Sequence, residues 1–347
     1  LLLALRCRAS DKIDKFCCNH PAMRRLALAI DRFPIAGRFV ISRGVKTEAV
    51  TIVATIADQG MRGRGEAVPY ARYGESVESV VAQIEKLRDA IEQGLEPAGL
   101  QAMLPPGAAR NALDCALWDL AAKRAGVRVH ELIGVPAPVP VLTAFTISVG
   151  TPAEMAAAAK TCGRPLLKIK LAGKGDPDRI AAVRDAVPEA TLIVDANEAW
   201  RPDDLDPYFA ACAKAGVQLI EQPLPAQRDA ALARVRRIVP VCADESVHDR
   251  SGLAALRDRY DVINVKLDKT GGLSEALALV GEAKAQGFDI FIGCMVASSL
   301  AMAPALLLAH AARYVDLDGP LLLARDRDDG LTYDGSIVHP PTTDLWG

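Results

Sequence analysis

An excess of one charge is missing from this chain: 41 Lys and Arg stand against 43 Asp and Glu, a formal net charge of −2. That balance offers no electrostatic case for nucleic acid or a membrane surface, so the expected partner is a small molecule. Long apolar runs are missing as well. Nothing approaches the roughly 18 consecutive apolar residues of a membrane span, although 50% of the residues are hydrophobic, as in an ordinary globular protein. The eight cysteines (7, 17, 18, 115, 162, 212, 242 and 294) include no CxxC spacing. Most of those beyond residue 100 fall in apolar helix or strand patterns, where a free thiol packs as a small hydrophobe, and a reducing cytoplasm is the expected compartment. The opening LLLALRCRAS has a short apolar run with no basic segment before it and the charged DKIDK after it, which does not read as a secretory signal. Residues 1–22 are expected to be a poorly ordered extension ahead of Met23.

With 347 residues, the chain can hold one barrel of about 200 to 250 residues with a smaller unit beside it. Seven short apolar runs recur at helix-length spacing: LLKIK (166–170), LIVDAN (192–197), QLIEQP (218–223), VCADES (241–246), VINVK (262–266), IFIGCM (290–295) and YVDLD (314–318). An eighth, VPVLTAFTIS (139–148), precedes them. Such runs, alternating with Ala- and Leu-rich spacers, are what strands covered on both faces by a βα repeat look like. The spacers, among them DAALARVRRIV, DRSGLAALRDRY and SSLAMAPALLLAHAA, read as amphipathic helices. The fold class is α/β, a (β/α)7-8 TIM-like barrel. Ahead of it, LALAI, RFVIS and AVTIVATI read as an antiparallel meander with the glycine-rich MRGRGE as a turn. Residues 75–94 and 108–126 read as helices, the second capped by Gly126. The expected organisation is an N-terminal α+β capping domain over 23–135, the barrel over 136–318, and a C-terminal segment over 319–347 that completes the capping domain. Its LTYDGSIV is read as a hairpin returning there.

Active sites of such barrels gather at the C-terminal ends of the strands, and Lys168, Lys170, Asp195, Glu221, Asp244, Lys266 and Asp316 all fall there. Asp195, Glu221 and Asp244 end three consecutive strands, and three carboxylates so placed suit one hard cation such as Mg²⁺. A single acid after a strand more often caps the next helix; three at the same place in successive units favour a metal site. Lys168 and Lys170 are two apart and so share one face of their strand, the barrel interior, where an unpaired ammonium is unfavourable. Lys266 ends the strand four units later, across the mouth from Lys170. Two lysines facing each other over a cation can take a proton from one face of a carbon and return it to the other, which inverts that carbon. One of them must be neutral despite a reference pKa of about 10.4. The plainer alternative, lysines that only balance the acids, fits Lys168 better than Lys170 and Lys266. Asp316 and Asp318 again share a face at the last strand, where two carboxylates attract a cationic group and repel an anionic one. Taken alone, the pair also reads as a solvated loop with Asp318 as a helix cap.

In this order and spacing, KIK, DANEAW, EQPLP, ADES and NVKLDKTGG resemble the muconate-lactonizing subgroup of the enolase superfamily, over about residues 24–340. A lysine base working beside Mg²⁺ is a general pattern of that superfamily. The resemblance implies that Asp195, Glu221 and Asp244 hold one Mg²⁺ per subunit, that Lys170 and Lys266 are the acid/base pair, and that Lys168 assists near the substrate carboxylate. A sugar-acid dehydratase of the superfamily is expected to carry a histidine after the seventh strand, and GCMVASS has none. DLDGP, together with CADES, KLDKTGGL and GCM, is similar to the L-Ala-D/L-Glu dipeptide epimerases. That likeness implies that Asp316 and Asp318 take the free ammonium of a dipeptide. By the same analogy Arg43, in the loop of RFVISRGV, takes the glutamyl carboxylate, and Thr143 and Thr146 contact substrate; read without it, Arg43 is a surface arginine and the threonines satisfy local hydrogen bonds. The implied protein is a cytoplasmic isomerase that interconverts L-Ala-D-Glu and L-Ala-L-Glu through a metal-stabilised enolate in peptidoglycan recycling, within a family that often forms homo-oligomers. Alternatives in the same subgroup are an o-succinylbenzoate synthase or other cycloisomerase and an N-acylamino acid racemase, whose substrates fit Asp316 and Asp318 poorly. A barrel that only binds ligand is disfavoured, because each catalytic position holds a competent residue.

Overall fold

The computed structural model describes residues 24–347, and the extension expected over 1–22 lies outside them. Strands β1 (Arg25–Ile41), β2 (Gly44–Asp58) and β3 (Met61–Ala67) form an antiparallel meander in that order. LALAI and RFVIS are therefore one strand. β1 runs through both with a register shift between Pro34 and Phe39, which an edge strand tolerates because its outer donors have no ladder to join. MRGRGE is strand rather than turn; the reversal falls at Gln59 and Gly60, both at positive φ.

Helices α1 (Val77–Glu85), α2 (Arg88–Glu92), α3 (Pro97–Met103) and α4 (Ala108–Ala125) pack beneath the meander, followed by the short α5 (Val129–Ile133). The single helix expected over 75–94 is broken between α1 and α2, where Leu87 turns into the capping core beside Ile84 and Ile91. Gly126 ends α4 in the left-handed conformation, as its sequence position implies. The glycines of β3 serve close packing on α4. A Cβ on Gly63 would stand 2.1 Å from the Ala116 carbonyl oxygen, and one on Gly65 would stand 2.2 Å from that of Ala112.

The run 139–148 also divides. β4 (Val141–Leu142) leaves the barrel, and β5 (Phe145–Ile147) is the first barrel strand. After it come β6 (Leu166–Lys170), β7 (Thr191–Asp195), β8 (Val217–Glu221), β9 (Val241–Ala243), β10 (Val262–Val265), β11 (Asp289–Ile292) and β12 (Tyr314–Val315). All pair in parallel with their sequence neighbours. The Ala144 amide donates to the Val315 carbonyl at 2.8 Å and joins the first strand to the last. Helices α6 (Pro152–Cys162), α7 (Asp176–Ala186), α8 (Leu205–Lys214), α9 (Leu267–Thr270), α10 (Leu273–Ala285) and α11 (Ser299–Ala305) fill most of the spacers. Two expected helices are absent: the spacers after β8 and β9 make only 3₁₀ turns at Ala230–Arg234 and Leu253–Leu256. The first is short and stopped by Pro240, and the second is interrupted by Gly252 at φ 81°; neither leaves room for a stable α-helical nucleus.

The C-terminal hairpin exists, as β13 (Tyr333–Asp334) and β14 (Ile337–Val338), but it pairs with β4 rather than with the meander. The chain on either side of it does reach the capping layer. Arg64 meets Asp329 at 2.6 Å, Arg327 meets Asp31 at 2.7 Å, and the Trp346 indole donates to the Cys115 carbonyl at 3.1 Å. No described helix is long and apolar enough to cross a membrane.

Candidate active site

Side chains that alternate along a strand turn this barrel into layers. Ala144, Leu166, Ile193, Leu219, Cys242, Val262 and Phe291 form one buried apolar layer inside it. Two residues further along each strand, the same inward face carries Thr146, Lys168, Asp195, Glu221, Asp244 and Asn264, and two further still, Lys170 and Lys266. Period two places Asp316 and Asp318 above Tyr314 in the same way. Apolar packing below thus holds a charged layer at the mouth.

Each charge in that layer has a close partner. The Lys168 ammonium lies 2.7 Å from Glu221 Oε2, 2.9 Å from Asp316 Oδ2 and 3.3 Å from Asp195 Oδ2. Lys170 Nζ is 2.6 Å from Asp195 Oδ2, and Lys266 Nζ is 2.6 Å from Asp244 Oδ2. Two residues not singled out from the sequence complete the set. Asn264 donates to Glu221 Oε1 at 2.8 Å, and Lys269, one helical turn past Lys266, meets Asp244 Oδ1 at 2.6 Å. Lys269 was visible as the second lysine of KLDKTGG; Asn264 had only its period-two relation to Lys266 to mark it.

Burial would push every one of these groups towards its neutral form, and its neighbours decide the outcome. For Asp195 the opposing charges of Lys170 and Lys168 win and hold the carboxyl down at about 2. Lys266 and Lys269 likewise outweigh burial at Asp244 and keep it well below the usual carboxylate range. At Glu221, burial and then the neighbouring Asp195 charge raise the carboxyl to about 7. Asp318 is raised to about 7 by burial and by Asp316. Burial alone would lower Lys266, but Asp244 and Glu221 raise it above its ordinary value.

Strand order brings Asp195, Glu221 and Asp244 to adjacent strand ends, yet their oxygens are turned onto lysines rather than towards a common point. Among the described residues, no three His, Cys, Asp or Glu side chains are gathered as one cation requires. The donor set nevertheless suits a hard divalent ion. It consists of three fully buried carboxylates, and Glu221 Oε2, although beside the Lys168 ammonium, accepts no well-directed hydrogen bond.

The capping layer roofs the mouth with the hairpin between β1 and β2. Ser42 Oγ and Arg43 Nη1 both donate to the Asn197 carbonyl at 2.9 Å. Arg43 also pairs with Glu245 at 2.7 Å and with Glu198 at 3.2 Å, and Arg72 grips Glu198 with two bonds of 2.8 Å. Tyr70 and Tyr73 follow β3, and Tyr73 stands edge-on to His248. Of the residues expected at the site, Lys168, Lys170, Asp244, Lys266, Arg43, Thr146, Asp316 and Asp318 all line the one cavity. Asp195 and Glu221 do not line it; they are fully buried and paired with Lys168 and Lys170, which do. Thr146 donates its amide to Asp318 Oδ2 at 2.7 Å. Thr143 is the exception. Three residues from Thr146, it points to the other face, is fully buried, and accepts from the Leu317 amide at 2.8 Å, away from the cavity. The same period-two rule that found the lysines excludes it.

Comparison with known proteins agrees with this geometry. Residues 151–343 match the family described as enolase C-terminal domain-like, and residues 23–134 match the mandelate racemase / muconate lactonizing enzyme N-terminal domain. The L-Ala-D/L-Glu epimerase of Escherichia coli K12 is 49% identical over 320 residues, spanning 91% of this chain and 100% of that protein. An N-acetyl-D-glutamate racemase of a Pseudoalteromonas species is 46% identical over 299 residues, 85% of this chain and 95% of the other. Among solved structures, an enolase family member from Agrobacterium tumefaciens with homology to dipeptide epimerases, holding sodium and L-Ala-L-Glu, superposes with a TM-score of 0.91 at 53% identity, over 93% of this chain and 100% of that one. A dipeptide epimerase from Enterococcus faecalis V583, complexed with Mg and L-Leu-L-Tyr, gives 0.85 at 28% identity, over 92% and 97% of the two chains. With both domains matched, a carboxylate or a lysine at each expected strand end, and relatives of this identity over nearly its whole length, the chain belongs to the dipeptide epimerases of the mandelate racemase / muconate lactonizing enzyme family, in the enolase superfamily.

Proposed function

We propose that the protein is a cytoplasmic, Mg²⁺-dependent epimerase that interconverts L-Ala-D-Glu and L-Ala-L-Glu, in the recycling of peptidoglycan peptides. The observation that carries this reading is the pair of buried lysines at opposite sides of one barrel mouth, Lys170 on β6 and Lys266 after β10, with two further carboxylates, Asp316 and Asp318, beyond β12. A carbon seated between the lysines presents one face to each ammonium. One lysine, as the free amine, takes the α-proton; the other delivers a proton to the opposite face, and the configuration inverts.

Asp195, Glu221 and Asp244 would hold one Mg²⁺ per subunit, and the ion would act as a Lewis acid on the substrate carboxylate, stabilising the negative charge that develops as the α-proton leaves. In that arrangement Lys168, already 2.9 Å from Asp316, remains the fixed positive charge beside the substrate carboxylate. Asp316 and Asp318 receive the dipeptide ammonium, and Arg43 closes the roof over the mouth. Support for a cytoplasmic location comes from the described cysteines, all of them free. The family reading also leaves room for a homo-oligomer.

The racemisation of N-acylated glutamate is the second reading, favoured by the Pseudoalteromonas relative. An acyl-amino substrate has no ammonium for Asp316 and Asp318, which is why the dipeptide is preferred. The discriminating measurement is α-proton exchange followed by NMR in D₂O with Mg²⁺, using L-Ala-L-Glu and N-acetylglutamate, with and without EDTA. The dipeptide should take up deuterium and yield L-Ala-D-Glu only with metal present, and Asp318→Asn should lower its kcat/KM about tenfold or more while leaving Mg²⁺ affinity unchanged. Turnover of N-acetylglutamate alone would overturn the dipeptide assignment.

A further inference from the structure

Each of the three strand-end acids has one oxygen tied by a donor other than the mouth lysines. Asp195 Oδ1 accepts the Asn197 amide at 2.9 Å, which the left-handed backbone at Asn197 (φ 44°) turns back towards it. Glu221 Oε1 accepts from the Asn264 side chain at 2.8 Å, while Lys266 comes no nearer to Glu221 than 3.9 Å. Asp244 Oδ1 accepts from Lys269 at 2.6 Å. The other oxygen of each acid, Asp195 Oδ2, Glu221 Oε2 and Asp244 Oδ2, faces Lys168, Lys170 or Lys266. Two of these oxygens, on Asp195 and Glu221, converge on the single Lys168 ammonium at 3.3 and 2.7 Å.

We propose that Asn264 is a positioning residue that allots the metal a single oxygen of Glu221, and that the three ties together make the site favour Mg²⁺ over the larger Ca²⁺. This rests on the metal reading above and deepens it. Ca²⁺ takes more oxygen ligands and often both oxygens of one carboxylate, whereas the smaller Mg²⁺ takes few carboxylate oxygens and keeps water or substrate beside them. A carboxylate with one oxygen already engaged has one left to give. Releasing the tie on Glu221 would let that carboxylate turn and offer both.

Packing does not account for Asn264. It is fully buried two residues beyond Val262 of the apolar layer, and its Oδ1 has no hydrogen-bond partner. A leucine would fill nearly the same volume and leave no acceptor unsatisfied, so a buried amide is a cost here unless its donor is used. The room for it comes from Gly293, just past the neighbouring strand β11. A Cβ there would stand 2.5 Å from Asn264 Oδ1 and 2.9 Å from Nδ2. Two positions on adjacent strands thus serve one bond, from Asn264 to Glu221. Lys269 is a less selective probe, because it also donates to the Asp244 and Asn264 carbonyls and so joins α9 to two strand ends.

The test is calorimetric titration of Mg²⁺ and of Ca²⁺ into the full chain stripped with EDTA, for wild type, Asn264→Ala, Asn264→Leu and Gly293→Ala, each first checked for cooperative thermal unfolding. Wild type should bind Mg²⁺ more tightly than Ca²⁺. Asn264→Ala and Asn264→Leu should each weaken Mg²⁺ about tenfold to a hundredfold and hold Ca²⁺ at least as well as before, so the preference falls alike in both although the two side chains differ in volume. Gly293→Ala, which displaces the amide without deleting it, should move the preference in the same direction. Equal affinity of wild type for the two ions would overturn the proposal, as would a preference that is unchanged in the Asn264 variants or that follows side-chain volume. Absence of Mg²⁺ binding by wild type would instead defeat the metal reading itself, and this inference with it.

Discussion

The barrel mouth and the roof above it both consist of ion pairs, but they are built on different principles. In the barrel, Lys168, Asp195 and Glu221 are at most 1% exposed, and their positions follow from strand ends that cannot move independently. In the roof, the arginines of the pairs are partly in water: the Arg43 and Arg72 side chains are 26% and 34% exposed, and both converge on Glu198 from loops. Low dielectric makes each buried pair strong and each broken one severe, whereas solvent screens the roof. Strand geometry thus fixes the first region, and loop-borne pairs within reach of water hold the second.

The contrast is broken most severely from the barrel side. Lys266→Ala should lower epimerisation by about a thousandfold and destabilise the fold by roughly 3 kcal/mol, since it removes one partner of a buried charge. Solvent deuterium should still enter substrate on the Lys170 side without inversion. Interconversion at the wild-type rate would show that the second lysine is elsewhere.

A smaller effect is expected at the joint between the two regions. Asp268 follows Lys266 by two residues and accepts at 2.9 Å from both the Val68 amide and Asn111 of the capping layer. Burial raises its carboxyl from 3.8 to about 7. Between those values the folded chain keeps a proton that the unfolded chain has lost, so this group's stabilisation is full below pH 3.8, declines up to about pH 7 and is constant above. Asp268→Asn, which retains the acceptor, should show a Tm that rises relative to wild type from about pH 4 to 7 and then runs parallel to it. A difference independent of pH would mean that Asp268 is ionised throughout.

The smallest effect belongs to the roof. Glu198→Gln frees Arg72 into a site where water can solvate it and leaves Arg43 its Glu245 and Asn197 partners, so the loss should be on the order of 1 kcal/mol in thermal or urea unfolding. A loss as large as that of Lys266→Ala would erase the distinction drawn between the two regions.

How much could be read beforehand follows the same division. The acids and lysines expected at the barrel mouth were legible in position, because a strand fixes side-chain direction by parity: Lys168 and Lys170 share a face with Leu166, and Asp316 shares one with Asp318, whereas Asn264 and Lys269 of the same charged layer were passed over. Of the two readings open for Thr143, substrate contact or local hydrogen bonding, its place outside the cavity and its bond to the Leu317 amide favour the second. The two missing helices were masked by their alanine and arginine content, which favours helix wherever the spacer is long enough to nucleate one. β3 was hidden by glycines that look like a turn and are instead the clearance α4 requires. Arg43 and Arg72 gave no local sign of the carboxylate they share, since a hairpin and a loop bring them to Glu198, a barrel residue more than a hundred residues further along the chain.

Period and spacing therefore sufficed for the barrel, for the order of its acids and lysines, and for the face on which each stands, because those depend only on backbone geometry within single strands. Which lysine meets which carboxylate and which carboxyls are pushed towards neutrality came from packing alone. Those are properties of distances between elements, and electrostatic energy in a buried site changes steeply over the ångströms that only the assembled fold defines.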